Sequence, residues 1–176
     1  MAIPESSSGK SQLRATLRQR LREHIPDPAA ACAALSRWLQ AHPALRTIAV
    51  YSPLPGEVDL SSVVLARPDL IWVYPRVLGH HLTFHTGGNL LPGSFRILEP
   101  TPDCPQVAVQ EIDAFLCPGL AFDANGGRLG RGRGFYDRLL AQARPDALKI
   151  GICFPFQCVT DTFSEPHDIT MDEVLF

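Results

Sequence analysis

Four short apolar segments, spaced along the chain, constrain its fold more than any other feature. They are residues 47–51 (TIAVY), 70–74 (LIWVY), 114–117 (AFLC) and 149–154 (KIGICF). None of them alternates strictly between apolar and polar residues, as a strand with one exposed face would, and helical segments separate them. We therefore predict an α/β fold in which a mainly parallel sheet is covered on both faces. Ligands of such sheets gather at the carboxyl ends of the strands, which here lead into the loops after Tyr51, Cys117 and Phe154.

Two helices are predicted to precede the first strand. The first ends near Pro26 and follows a polar start at residues 6–8, with an apolar stripe at every fourth position formed by Leu13, Leu17 and Leu21. Asp27 followed by Pro28 is typical of a helix start, and this second helix should end at about His42. Further helices are predicted from about Leu60 and over residues 135–143. Glycines and prolines break residues 75–105 into a hairpin and loops.

Composition narrows the class of protein. The chain has 176 residues, 45% of them hydrophobic, which suffices for a single domain spanning residues 1–176. A net charge of −2 gives no general attraction to nucleic acid or membranes, and no apolar run reaches the roughly 18 residues of a membrane span. The five cysteines are an odd number and form no CxxC pair of the kind found in zinc sites and redox motifs, so we expect reduced thiols. Arginines and serines near the N terminus could imitate a transit peptide, but Glu5 and Glu23 argue against it, and we expect a cytoplasmic protein.

The segment from Pro118 to Arg138 is the most informative for function. It contains glycines at 126, 127, 130, 132 and 134 and arginines at 128, 131, 133 and 138. Glycines let backbone N–H groups approach phosphate oxygens, and arginine adds bidentate phosphate contacts. The spacing fits neither GxGxxG nor a P-loop, since no GKS or GKT ends it. A second interpretation stays open, in which Gly126 and Gly127 form a hairpin turn and the rest is a mobile basic loop.

This segment resembles the signature of the 5-formyltetrahydrofolate cyclo-ligase family. Other motifs of the family occur in the same order, namely Lys10 with Arg14, PGEVD at 55–59, YPRV at 74–77, LEP at 98–100 and the C-terminal PHDITMDEVLF. The resemblance covers almost the whole chain. It implies a Rossmann-like three-layer sandwich with a mainly parallel central sheet, which converts 5-formyltetrahydrofolate to 5,10-methenyltetrahydrofolate with ATP and Mg²⁺.

The resemblance also implies a nucleotide site. Lys10 and Arg14 would contact the ATP phosphates, whereas Arg18 and Arg22, at the same spacing on the helix, are interpreted as solvated. The loop would supply the other nucleotide contacts, from Arg128, Leu129, Gly130, Arg131, Gly132, Arg133, Gly134, Phe135 and Tyr136. Arg131 and Arg133 are expected to be catalytic, because a cationic field suits the charge spread over phosphoryl oxygens. Relatives often have lysine or glycine at position 133.

Glu57 is the third expected catalytic residue. By resemblance it faces the folate, where a carboxylate could stabilise a cationic iminium; the alternative is a solvated loop glutamate. The folate site would otherwise consist of Ser52, Phe95, Arg131, Gly132, Arg133, Gly134 and Phe135. Phe95 could stack on a flat ring or could simply pack in the core. Where relatives frequently have threonine, this chain has Leu60.

Asp137 and Asp172 are the expected Mg²⁺ ligands. Two carboxylates with phosphate oxygens and waters form an ordinary ligand set for this ion, and the resemblance implies a metal at these positions. A helix N-terminal charge and a solvated acid near the chain end are the alternatives for the two residues.

The reaction implied by the resemblance needs no covalent enzyme intermediate. The formyl oxygen would attack the γ-phosphate to give an iminium phosphate, N10 would add, and ADP and phosphate would be released. Cys117 and Cys153 accordingly look like core thiols. The substrate is expected with or without a polyglutamate tail, and the protein is expected to be a monomer that binds neither nucleic acid nor membrane. Two other classes remain, a noncatalytic folate or nucleotide binding protein and an RNA-binding relative.

Overall fold

A seven-stranded sheet forms the centre of the structure, a computed structural model that describes residues 5–23, 26–79, 81–87, 90–93 and 97–176. The helices are α1 (Glu5–Glu23), α2 (Ala29–Ala41), α3 (Ser61–Ala66) and α4 (Phe135–Leu140). The strands are β1 (Thr47–Ala49), β2 (Ile71–Leu78), β3 (His81–Thr86), β4 (Leu90–Pro92), β5 (Leu98–Pro100), β6 (Gln106–Val107), β7 (Ala114–Pro118), β8 (Ala121–Phe122), β9 (Arg128–Leu129), β10 (Leu148–Ile152) and β11 (Glu173–Leu175).

The central sheet is mainly parallel, as predicted. Its strand order is β11-β10-β7-β1-β2-β3-β6, and the pairs from β11 through β2 are all parallel. Residues 75–105, where a hairpin is predicted, take part in two antiparallel pairs, β2–β3 and β4–β5. β6 adds to β3 at the edge of the central sheet. This antiparallel edge makes the Rossmann-like description approximate.

Helices cover both faces of the sheet, which confirms the predicted three layers. On β1, Ile48 points into a core cluster with α2 and α3, whereas the next residue, Ala49, points into a cluster with α4. The same alternation on β7 places Leu116 and Cys117 on opposite faces. Because apolar side chains are buried on both faces, these strands lack the apolar–polar alternation of a half-exposed strand.

The N-terminal helix packs outside these layers. Leu17 of α1 is buried against Leu120, Ala121 and Leu129 of the β8–β9 hairpin, which forms a third apolar cluster. Leu13 and Leu21 complete the contact, so the predicted leucine stripe is confirmed. This packing places the polar side of α1 next to the glycine-rich segment. Among the residues that the structure covers, no helix combines the length and apolarity needed to cross a bilayer.

Three helix boundaries differ from the predictions. The first helix already includes the serines at 6–8, since it begins at Glu5. The second begins at Ala29, so Pro28 and not Asp27 is the residue directly before the helix. Asp27 still accepts the Ala29 N–H through its Oδ1 over 2.9 Å. The fourth ends at Leu140 instead of about residue 143. After Leu140 the backbone bonds tighten to the i→i−3 pattern, from the Gln142 N–H to the Leu139 carbonyl and from the Ala143 N–H to the Leu140 carbonyl, which ends the α-helix.

Candidate active site

A cavity of about 530 Å³ opens at the carboxyl ends of β1, β2 and β7. Its walls come from the residues after β1, the glycine-rich segment, α1 and a segment near the C terminus. It lies where the order of the strands reverses, since β1 lies between β2 and β7, and this is the crevice where open α/β sheets bind ligands. The predicted loops after Tyr51 and Cys117 therefore border the cavity. Phe154 itself packs in the core, but the connection that follows it also reaches the cavity through Glu165, His167 and Asp168.

The glycine-rich segment begins as a tight hairpin. Asp123 Oδ1 accepts backbone N–H bonds from Asn125 and Gly127, at 2.9 and 3.0 Å. Gly126 has a φ of +80°, and a Cβ there would collide with the carbonyl oxygen of Met171, so only glycine fits this position. The hairpin interpretation of Gly126 and Gly127 is correct for these two residues. The residues after the hairpin form part of the cavity wall.

Every loop residue expected to hold the nucleotide lines the cavity: Arg128, Leu129, Gly130, Arg131, Gly132, Arg133, Gly134, Phe135 and Tyr136. Gly132 and Gly134 have φ angles of +100° and +63°, which disfavour other residues. A Cβ at Gly134 would also lie 2.9 Å from Arg138 Nη1. The glycines thus keep this backbone close to its neighbouring arginines and open to a ligand.

Arg128 lies buried beneath the loop with one unsatisfied donor. Its Nη2 donates to Asp137 Oδ1 over 2.7 Å, and the guanidinium carbon lies 5.4 Å from the centre of the Tyr136 ring. Its Nε is buried and has no hydrogen-bond partner among the described residues. A buried donor left without an acceptor is costly, and an anionic oxygen would satisfy it. The residues here therefore fit a phosphate group.

The N-terminal helix brings both predicted cations to the cavity. Arg14 Nε donates to the Gly130 carbonyl oxygen over 3.0 Å. Lys10 Nζ is paired with Glu165 Oε2 at 2.9 Å and Asp168 Oδ2 at 2.7 Å. Burial works to lower the pKa of Lys10, but its bonds to the two carboxylates outweigh burial and leave the pKa above its ordinary value. Lys10 is therefore fully protonated at neutral pH.

Glu57 and Arg131 meet at the cavity wall. Arg131 Nε donates to Glu57 Oε1 over 2.9 Å, and its Nη2 donates to the Pro55 carbonyl oxygen. The Glu57 side chain is only 6% exposed, so the alternative of a solvated glutamate is wrong. Burial raises the pKa of the Glu57 carboxyl, although Arg131 and the Leu54 N–H partly oppose the rise. Arg18 remains exposed, as expected, and donates to the Arg131 carbonyl oxygen.

The residues expected to contact the folate are described only in part. Ser52 lines the cavity, and its hydroxyl donates to the Leu98 carbonyl oxygen. Phe135 also lines it, and the Arg138 guanidinium lies over its ring. Phe95 lies outside the described residues, so its contact with substrate stays a prediction. Apolar side chains form the rest of this wall and suit a flat ring system: Leu54, Val77, Leu82 and Ile97.

The two carboxylates predicted to bind Mg²⁺ lie in different surroundings. Asp137 lines the cavity beside Arg128. Asp172 lies near the start of β10, where its Oδ2 accepts the Lys149 N–H over 2.7 Å, and it does not line the cavity. The structure thus does not bring Asp172 to the site, because the cavity opens at the opposite ends of the strands. Asp137 with phosphate oxygens and waters fits the hard oxygen ligands that Mg²⁺ prefers.

Sequence reasoning missed three polar residues of the cavity wall, Glu165, His167 and Asp168. Their ligand atoms lie within 4.8 Å of one another. The C-terminal PHD motif contains two of them, but its position gave no indication that the segment would fold back onto α1. The pairing with Lys10, more than 150 residues away, is visible only in three dimensions.

The thiols expected in the core are buried there. Cys117 and Cys153 are fully enclosed, and neither lines the cavity. Burial raises the pKa of Cys117 to about 12 and also raises that of Cys153, so both are neutral thiols at physiological pH. Neither has the properties of a nucleophile.

Comparison with known proteins gives matches over nearly the whole chain. The model of the "5-formyltetrahydrofolate cyclo-ligase family" matches residues 6–176. A 5-formyltetrahydrofolate cyclo-ligase of Mycolicibacterium smegmatis is 35% identical, over 97% of this chain and 94% of the relative. The solved 5,10-methenyltetrahydrofolate synthetase of Mycoplasma pneumoniae superposes with a TM-score of 0.78 at 27% identity, over 94% of this chain and 97% of that one. That of Aquifex aeolicus gives 0.79 at 29% identity, over 94% and 88%.

Proposed function

The chain belongs to the 5-formyltetrahydrofolate cyclo-ligase family, and from this premise we propose that it converts 5-formyltetrahydrofolate to 5,10-methenyltetrahydrofolate while ATP becomes ADP and phosphate. The observation that carries the proposal is the contact between Arg131 and Glu57 in one cavity. It joins the wall of cations and glycines, which suits phosphates, to the loop after β1, where the folate is expected.

The chemistry follows from the poor leaving ability of a formyl oxygen. In the proposed reaction this oxygen attacks the γ-phosphorus of ATP, the bond to ADP breaks, and the formyl group becomes an iminium phosphate. N10 then adds to the activated carbon, phosphate departs with the original formyl oxygen, and the N10 proton is lost. Every bond change occurs between the substrates, so the enzyme has to position them and stabilise charge.

The residues of the cavity divide these tasks. Lys10, Arg14 and Arg128 would bind phosphate oxygens, since all three cations line the cavity. Arg131 and Arg133 would stabilise the phosphoryl group in transfer. Glu57, which already balances the charge of Arg131, would stabilise the iminium cation. Its burial strengthens that interaction, since charges attract more strongly away from water.

Asp137 is the residue that would hold Mg²⁺ in this site. The ion would neutralise phosphate charge, as it does in phosphoryl transfer generally. Asp137 contacts Arg128, so the two residues would keep metal and phosphate in one place.

Absorbance spectroscopy tests the proposal directly. Protein, 5-formyltetrahydrofolate, ATP and Mg²⁺ should together generate the methenyl chromophore, and omission of ATP or of protein should abolish it. A noncatalytic binding protein would instead retain ligand without any spectral change or phosphate release, and that result would refute the proposed function.

A further inference from the structure

Lys10 is held by two carboxylates from the far end of the chain. Its Nζ lies 2.9 Å from Glu165 Oε2 and 2.7 Å from Asp168 Oδ2, and all three residues line the cavity. An ammonium group has three N–H donors. Two of them are occupied by these carboxylates, and within the described part of the chain the third is left for a ligand.

The segment that carries the two carboxylates is itself fixed to the glycine-rich hairpin. Asp123, which organises that hairpin through Gly127, also accepts hydrogen bonds from the N–H and hydroxyl of Thr162 through its other oxygen. Asp168 Oδ2 additionally accepts the Glu165 N–H over 2.8 Å. Lys10 is thereby held relative to the same hairpin that begins the phosphate-binding wall.

The N-terminal helix also approaches this segment closely. A Cβ at Gly9 would lie 2.7 Å from the Phe163 ring, so the glycine permits the contact. Phe163 has a φ of +58°, an uncommon conformation for a bulky residue. The close approach brings the backbone of α1 near enough for Lys10 to reach both carboxylates.

We propose that Asp168 and Glu165 are positioning residues for the nucleotide, which hold the Lys10 ammonium in place so that its remaining N–H can bind a phosphate oxygen. This inference rests on the proposed function of the cavity. The lysine side chain has one of the largest rotamer entropies, and a lysine that is already held in place loses less of this entropy when it binds a ligand. We therefore expect removal of the Asp168 carboxylate to weaken ATP binding roughly tenfold.

An opposite effect has to be weighed, because the two carboxylates also neutralise Lys10. If neutralisation dominated, their removal would strengthen ATP binding. Four arginines line the same cavity, Arg14, Arg128, Arg131 and Arg133, so the attraction for phosphate does not depend on the charge of Lys10 alone. We therefore expect positioning to dominate, and the sign of the change distinguishes the two effects.

Chemical acylation reports the state of Lys10 without any ligand. The chain has two lysines, so Lys149 is an internal reference. In Asp168→Ala, acetic anhydride should modify Lys10 at least about threefold faster than in the wild type, since a paired ammonium has to break its contacts before it reacts. Lys149 should react at an unchanged rate. Equal Lys10 rates in the two proteins would overturn the inference. Mg²⁺ that accelerates the Lys10 reaction in the wild type would also overturn it, as a metal would then displace Lys10 from the carboxylates.

Calorimetric ATP binding and steady-state kinetics test the role in nucleotide binding. Asp168→Ala should raise the Kd and KM for ATP roughly tenfold, with the KM for folate and kcat within about twofold. Asp168→Asn keeps an oxygen acceptor and should restore most of the affinity. Asp146→Ala is the control, because Asp146 is an exposed carboxylate that pairs with Arg144 and does not line the cavity.

The outcomes separate this inference from the proposed function. ATP binding by a wild-type protein that forms no methenyl product would refute the function and still allow the Kd comparison. Unchanged or tighter ATP binding in Asp168→Ala, or an equal loss in Asp146→Ala, would refute the positioning role even if turnover is normal. If Asp168→Ala does not fold, Glu165→Ala removes one of the two contacts and should give a change in the same direction.

Discussion

Arg131 donates a hydrogen bond from Nε to Oε1 of Glu57 over 2.9 Å, although 74 positions separate the two residues in the chain. The bond links the loop after β1 to the glycine-rich segment at the carboxyl ends of the strands. Glu57 is nearly buried, whereas Arg131 is about one-third exposed. The cation therefore remains accessible to a ligand while its counter-ion is shielded from water.

Replacement of the loop arginines should impair both ATP use and turnover. We expect Arg131→Ala to lower kcat/KM by about 100-fold, the range observed when one preorganised charge donor is removed, and Arg133→Ala to lower it less. Arg131 has a buried counter-ion that fixes it, which favours the larger effect. Steady-state kinetics with ATP and folate varied separately measure the change. Arg22→Ala, on the exposed side of α1, is the control. Normal kinetics in both loop variants would limit the segment to a structural role.

The pH dependence should reveal Glu57. Burial raises the pKa of its carboxyl above the ordinary 4.5, and activity that needs the carboxylate should fall as the pH drops through this raised pKa. Arg131 lowers this pKa, so Arg131→Gln should move the acidic limb of kcat/KM to higher pH. An acidic limb that stays in place or moves down in Arg131→Gln would show that another group controls it.

The same burial predicts that Glu57 costs stability at neutral pH. A carboxyl whose pKa is raised by folding favours the folded state when protonated, so this cost should diminish as the pH falls through the raised pKa towards 4.5. Glu57→Gln should therefore unfold at an equal or higher urea concentration than the wild type at pH 7, while its activity falls by about 100-fold. A marked loss of stability in the variant would mean that the ion pair with Arg131 outweighs burial.

The two aspartates should differ in their effect on metal dependence. Asp137→Asn should reduce activity about 10- to 100-fold and raise the Mg²⁺ concentration at half-maximal rate, because Asp137 lines the cavity beside Arg128. Asp172→Asn should change the rate less than about threefold, because its carboxylate accepts the Lys149 N–H and does not line the cavity. Mg²⁺ titration at saturating ATP and folate measures both. Equal or reversed losses would make Asp172 the principal ligand.

Two glycines with similar φ angles should respond differently to alanine. Gly126→Ala introduces a Cβ that meets the Met171 backbone, whereas at Gly79 no other described residue lies within 4 Å of the added atom. Gly79→Ala should then cost only the φ strain, about 1 kcal/mol, and Gly126→Ala at least about 2 kcal/mol more, since the backbone has to shift. Urea unfolding compares them. Similar losses would show that the hairpin adapts to the larger residue.

The sequence predicts the sheet well because its strands are apolar on both faces, as the alternation of Ile48 and Ala49 between two core clusters shows. The glycine-rich segment is also recognisable from the sequence, because the local backbone conformation requires its glycines. The sequence does not predict the pairing of Lys10 with Asp168, because lysine and aspartate are common surface residues and no periodic pattern of residues connects these two positions. Asp172 shows the opposite case, in which the sequence predicts a site residue that the structure places elsewhere. Its motif indicates a metal ligand, but the register of β10 and β11 places it away from the cavity.

The fate of the formyl oxygen tests the central claim most directly. We would supply 5-formyltetrahydrofolate with a heavy oxygen isotope in its formyl group and measure methenyl product, phosphate and the isotope content of the phosphate by mass spectrometry. Phosphoryl transfer to the formyl group predicts product and phosphate in equal amounts, formation of both only with ATP, and the label in the phosphate. Product formed without ATP, or phosphate that carries no label, would contradict the proposed reaction.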